Sequence, residues 1–123
     1  MYIAPLDVHL ADHSIVQPDV IYVAPGNRFI IQDWIRGAPD LVVEVLSPST
    51  SRRDRMHKLR LYAESGVKEY WIVDPVSEVI EFLQNENGVF RVQMPEDDIH
   101  RSPKIPGVQL DVRAFWTAVR ARR

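Results

Sequence analysis

One apolar run, Leu41-Val42-Val43-Glu44-Val45-Leu46, carries a single carboxylate in its middle. Pro39-Asp40 introduces the run, and Ser47-Pro48-Ser49-Thr50 ends it. Its aliphatic, largely β-branched content and its turn-forming borders predict a strand over 41–46. Side chains alternate across a strand, so Leu41, Val43 and Val45 share one face, and Val42, Glu44 and Leu46 the other. Glu44 then lies between apolar neighbours on a mostly buried surface. An ionised carboxylate there costs several kcal/mol unless something pairs with it. Whatever fold this chain adopts must supply Glu44 with a partner.

Two features of the neighbouring sequence offer one. Upstream, Ile15 to Val23 reads as a strand pairing with the Leu6 to Leu10 strand through a polar turn at 11–14. On it, Asp19, Ile21 and Val23 share a face, and Pro18 marks an edge or bulge. Downstream, 49–65 reads as a helix. Ser51 is its N-cap, Asp54 imitates a capping box, and Gly66 is the stop. Met56, Leu59 and Ala63 make one stripe of this helix, and Asp54, Lys58 and Tyr62 another.

Between them, 24–39 is a connection whose Phe29, Ile30, Ile31, Trp34 and Ile35 are apolar enough to pack as a short helical turn. Further on, Glu69 to Asp74, Glu78 to Leu83 and Val89 to Met94 read as a meander. Asp74-Pro75 and Asn85-Glu86-Asn87-Gly88 form its turns. Residues 95–106 read as a loop. Asp111 caps a last helix with Val112, Phe115, Trp116 and Val119 on its apolar stripe. The expected class is α/β (α+β): a mixed, mainly antiparallel sheet, one helix after the Glu44 strand and one at the C-terminus.

Asp19 and Glu44 on adjacent strands, about 4.8 Å apart, are within reach of one cation. Two oxygen ligands plus waters suit magnesium, which keeps part of its hydration shell. Such an ion polarises a phosphate and lowers the pKa of a bound water. Lys58 on the following helix is placed to orient that water. The same two acids would equally serve as partners for core lysines or arginines, and both readings stand at this point. Arg52, Arg53 and Arg55 crowd the first turns of the helix, where positive charge is unfavourable unless an anion visits. A solvated face is the plainer reading of that run.

Tyr62 and Tyr70 read as packing residues. His9, His13, His57 and His100 show no metal-ligand spacing and read as surface residues. Asp40 reads as a strand-edge residue and Asp74 as a turn former. The 123 residues suit one domain, and the net charge of −2 restricts any nucleic-acid footprint to a local patch. There is no cysteine, which excludes disulfides and thiolate zinc sites and suits the cytoplasm. No run approaches the ~20 apolar residues of a membrane span. No glycine-rich phosphate loop, G-x-S-x-G or His/Cys pair is present, so P-loop hydrolysis and acyl transfer have no support.

Val16-Gln17-Pro18-Asp19-Val20, the stretch from Gly37 through Glu44 to Thr50, Arg53-Asp54-Arg55 with Lys58-Leu59 and Tyr62, Gly66-Val67, and Glu69-Tyr70-Trp71-Ile72-Val73-Asp74-Pro75 together resemble the Uma-type restriction endonuclease family of the PD-(D/E)XK phosphodiesterase superfamily. The resemblance covers nearly the whole chain. It implies a restriction-endonuclease-like core sheet flanked by helices and cleavage of nucleic acid, DNA foremost, with magnesium or manganese. Asp19 and Glu44 would be the metal-binding acids, with Lys58 as the catalytic lysine, because the usual lysine position, two residues after the glutamate, is Leu46. Arg52, Arg53 and Arg55 would meet the phosphate backbone. Relatives usually begin with a further segment, including a helix that contributes another glutamate. Compared with them this chain is expected to be N-terminally truncated, with an exposed sheet that favours a homodimer. The rival expectation is a catalytically degenerate nuclease fold that binds nucleic acid or a protein.

Overall fold

The computed structural model describes residues 7–10 and 14–122, and the backbone of 2–3. Leu6, the turn at 11–13 and His13 lie outside the described residues.

The strands in chain order are β1 (Tyr2–Ile3), β2 (Val8–His9), β3 (Ile15–Val16), β4 (Val20–Tyr22), β5 (Ile35–Arg36) and β6 (Leu41–Val45). Helix α1 (Arg52–Ser65) follows, then β7 (Glu69–Asp74), β8 (Val79–Glu86), β9 (Val89–Gln93), β10 (Ile99–Arg101), β11 (Gln109–Asp111) and helix α2 (Val112–Arg120). Among the described residues the main sheet has six strands in the order β1-β4-β6-β7-β8-β9. Its central pair β6·β7 is parallel, and the flanking pairs are antiparallel. A parallel pair needs a crossover, and α1 is that crossover. The fold is therefore mixed α+β with a mainly antiparallel sheet.

Local chemistry accounts for α1. The Ser51 side chain accepts from the Asp54 amide at 3.0 Å and closes the N-terminus. Gly66, at φ 91°, takes the left-handed turn that ends the helix. The face α1 turns to the sheet combines Lys58 and Tyr62 with Leu59, Leu61 and Ala63. Tyr62 is fully buried, whereas Met56 is half exposed. Tyr62 and Leu61 pack with Ile21, Val42, Tyr70, Ile72 and Leu83 into the larger core. On the other face of the sheet, Leu41, Trp71, Phe82 and Ile105 form a second core, against which Val108, Leu110 and Val112 pack.

Four expectations are corrected. The run Ile15–Val23 is two strands, β3 and β4, in different sheets, broken at Gln17-Pro18-Asp19. Pro18 has no amide to continue a ladder. β3 joins β2 and β5 in a three-stranded sheet, so the expected hairpin with the Val8 strand is real but short. Residues 95–106 are not all loop, because β10 pairs with β11 antiparallel. In the connection the expected helical turn is present as the 3-10 helix Pro25–Ile30, which buries Ile30, but the expected packing of Phe29 is not, because that ring stays exposed.

The histidines are the fourth. His57 is exposed, but His9 is half-buried and stacked on Trp34. His100 is fully buried, stacked on Phe82, with Nε2 2.7 Å from Glu69 Oε2. Burial is possible there because Glu69 supplies a carboxylate to its ring nitrogen.

Candidate active site

The ladder between β4 and β6 pairs Ile21 with Val42 and Val20 with Val43. One step further along that register, Asp19 falls opposite Glu44. Residues opposite one another in a ladder share a face, here the face covered by α1. Asp19 sits just beyond the end of β4, and its Oδ2 accepts the Val45 amide at 2.7 Å. The carboxylate thus continues the ladder where Pro18 has interrupted the backbone, through a charge-assisted hydrogen bond. Oδ1 of Asp19 carries no hydrogen bond among the described residues.

Glu44 is buried, and both of its oxygens are engaged. Lys58, reaching down from α1, places Nζ 2.9 Å from Oε1. Tyr70, on β7, donates its hydroxyl to Oε2 at 2.8 Å. Tyr70 stands beside Val42 in the parallel register and Ile72 beside Glu44, so the phenol reaches along the same face. Burial first, and then the Glu44 charge, push the Tyr70 hydroxyl far above its ordinary pKa, so it remains a donor. The Tyr62 hydroxyl is pushed up by burial and then by the same charge. It is buried without a hydrogen-bond partner among the described residues.

Asp19, Glu44, Arg55, Lys58 and Tyr70 line one cleft of about 210 Å³, together with Ser47 and Thr50. The arginine run does not converge on it as a unit. Arg55 lines the cleft and pairs with Glu81 at 3.7 Å. Arg52 and Arg55 together line an apolar groove with Met56, Leu59, Phe90 and Val92, and Arg53 lines a separate hollow with Ser49 and His57. Neighbouring helix positions point about 100° apart, so Arg52 and Arg55, three positions apart, share a face while Arg53 points elsewhere.

Tyr70 is the site residue that sequence reading missed. Its signal was the alternation of β7: Tyr70 lies two residues from Ile72, on the face Glu44 occupies, once β6 and β7 are known to be parallel neighbours. Asp40 and Asp74 sit elsewhere. Asp40 is buried at the start of β6, bonded to the Ala24 amide, Asn27 and Lys68. Burial alone would raise its pKa, but those three partners together hold it below the usual carboxylate range. Asp74 accepts from the amides of Val76 and Ser77 and shapes the turn after β7.

Among the described residues no three His, Asp or Glu side chains form a metal cage. The donor set of the cleft is nonetheless hard oxygen: the Asp19 carboxylate, whose Oδ1 has no hydrogen bond among the described residues, and the Glu44 carboxylate, whose Oε1 is held by the Lys58 ammonium. Two carboxylates completed by water fit magnesium or manganese rather than a softer ion. No described helix is long and apolar enough to cross a membrane.

A solved structure described as "a putative nuclease belonging to DUF820 from Anabaena variabilis ATCC 29413" has a similar fold, with a TM-score of 0.68 at 18% identity. The match covers 94% of this chain and 66% of that one, so the chain spans just under two thirds of its length. No curated protein matches. Residues 1–113 match the family model Uma2, described as "Putative restriction endonuclease", and the chain belongs to that family.

Proposed function

We propose that this chain is a divalent-metal-dependent endonuclease domain that hydrolyses phosphodiester bonds of nucleic acid, DNA foremost. The observation that carries the reading is the convergence of Asp19, Glu44 and Lys58, from three separate elements, on one cleft. Asp19 and Glu44 would hold magnesium or manganese. Bound there, the ion would polarise a phosphodiester and lower the pKa of a water.

The chain's own residues do the rest. Tyr70 pins Glu44 through Oε2 and keeps its own proton. The Val45 amide fixes Asp19 through Oδ2, at the lining of the cleft. Lys58 supplies a positive charge where an attacking water and a phosphate oxygen would meet. Arg55, in the same cleft, is placed to meet a phosphate by charge-assisted hydrogen bonds. Arg52 and Arg53 lie outside the cleft and would touch flanking phosphates.

The test is cleavage of labelled single- and double-stranded DNA and RNA, with magnesium, manganese or chelator, by wild type and Glu44→Ala. Metal-dependent cutting that disappears in a folded Glu44→Ala chain supports the reading. A pure, folded wild-type chain that cuts none of these substrates sinks it.

A second reading is favoured by one observation: both Glu44 oxygens are already satisfied by protein groups. In that reading the Lys58–Glu44 pair replaces the metal, and the fold binds nucleic acid without cutting it. Binding would then weaken with salt and be indifferent to magnesium and to Asp19→Asn.

A further inference from the structure

Lys58 occupies the oxygen that a cation would need. Glu44 is buried, with 8% of its side chain exposed, and an ionised carboxylate at such depth requires a counter-charge. Its two partners are not equivalent. Tyr70 is 2% exposed, packed edge-on against Tyr62 at 5.0 Å and tilted against Phe90 at 5.8 Å. Its ring is packed into the core, which holds its hydroxyl against Oε2. Lys58 is an unbranched chain with 32% of its side chain exposed, ending at the cleft it shares with Asp19 and Arg55. An ammonium can swing into that cleft, whereas the phenol cannot leave the core.

Resting on the proposed metal-dependent reading, we infer that Lys58 is the resident counter-ion of Glu44, and that a divalent cation entering between Asp19 and Glu44 displaces it from Oε1. Like charges so close repel strongly in a partly desolvated site, so ammonium and cation do not share that oxygen. The pairing supplies the counter-charge at Glu44 before any metal arrives. The exchange links two events. Metal entry frees the Lys58 ammonium and turns it toward the space where a phosphate and its attacking water would lie. The cost is affinity, because the lysine competes for the site it serves.

Two measurements on the full chain test this. The first is manganese binding, by calorimetry or by the electron spin resonance of free manganese, in wild type, Lys58→Met and Arg55→Met. Arg55→Met removes a positive charge from the same cleft without touching Glu44. Exchange predicts manganese binding at least about tenfold tighter in Lys58→Met and less than about threefold tighter in Arg55→Met. The second needs no variant: amine acylation of wild type, read residue by residue by mass spectrometry. Manganese should speed modification of Lys58 several-fold and leave Lys68 and Lys104 unchanged.

Unchanged or weaker manganese binding in folded Lys58→Met, while wild type binds, overturns the exchange and leaves the metal reading standing. So does Lys58 reactivity that manganese leaves unaltered at saturation. If Lys58→Met does not fold, the labelling of wild type decides alone. No manganese binding by wild type overturns both the exchange and the reading beneath it.

Discussion

Two glutamates on neighbouring central strands were buried in the same fold and put to different uses. Glu44, on β6, points to the α1 face. Glu69, on β7, belongs with the opposite face, beside Trp71 and the C-terminal β10–β11 unit. Glu69 is fully buried and wholly enclosed: Trp71 Nε1 donates to Oε2, His100 Nε2 lies 2.7 Å from the same oxygen, and Ser102 Oγ donates to Oε1 at 2.6 Å. Burial alone would raise the pKa of Glu69, but His100, Ser102 and Trp71 outweigh it and hold the carboxyl below its usual value. No partner of Glu69 can leave without breaking the core. Glu44 has one such partner, Tyr70, and one on a flexible stem at the edge of a cleft. Burial and pairing are common to both, so neither marks a site. What distinguishes Glu44 is that one of its partners is exchangeable and a second acid shares its opening.

Exchanging the two residues' fates is the strongest way to break that comparison. Glu44→Gln keeps the shape of the side chain and removes its charge. Cleavage should fall by at least about 10³-fold, the scale of losing a preorganised electrostatic group, while thermal unfolding moves little. A Glu44→Gln chain that cuts like wild type would show Glu44 to be as structural as Glu69.

Glu69→Ala should do the reverse. It leaves His100, Ser102 and Trp71 without their acceptor, and each buried donor so stranded costs about 1–3 kcal/mol. Urea denaturation measures it. A loss under about 1 kcal/mol would mean the enclosed network is no clamp.

Tyr70→Phe sharpens the contrast at the one contact of Glu44 that resembles those of Glu69. It should lower stability by about 1–3 kcal/mol, because Oε2 is left unsatisfied in the core. Cleavage should fall by about tenfold as the carboxylate loses its anchor. Unchanged cleavage would reduce Tyr70 to packing.

The smallest effect is in acid. Glu69 and Asp40 both have folded pKa values depressed below the ordinary 4.5 and 3.8. Their contribution is therefore fully present above about pH 4.5 and is lost as pH falls through the depressed values. Melting temperature should drop between pH 5 and 3 in wild type, and less steeply in Glu69→Gln. Parallel curves would remove Glu69 from the account.

Much of this was local and therefore readable. Ser51, Asp54 and Gly66 mark the ends of α1 because capping involves residues three or four apart. Asp111 starts α2 in the same way, accepting from the Ala114 amide at 3.0 Å. Glu69–Asp74 was legible as a strand because it is apolar, β-branched and aromatic, and ends at a proline. The break at Pro18 was half legible: the proline was visible, but not that the segments on either side would enter different sheets. β10 was hidden, because Ile99–Arg101 is a polar segment whose only strand signal is its partner β11. His100 was misread for the same reason: nothing within several residues indicates Glu69, which lies 31 positions away. The three arginines look like one patch in a string of letters, but on the helix Arg53 turns away from Arg52 and Arg55.

By itself the sequence determined most of the larger elements and the alternation of the central strands, and with them which side chains could share a face with Glu44. These follow from periodicity, capping and turn chemistry, which act over a few residues. Only the tertiary structure decided which of two buried glutamates would open onto a cleft. That depends on the parallel crossover through α1, which hangs Lys58 over Glu44, and on the β10–β11 unit, which seals Glu69 under His100. Both arise from pairings between distant segments, where the entropy of closing the chain is offset only by the core that forms.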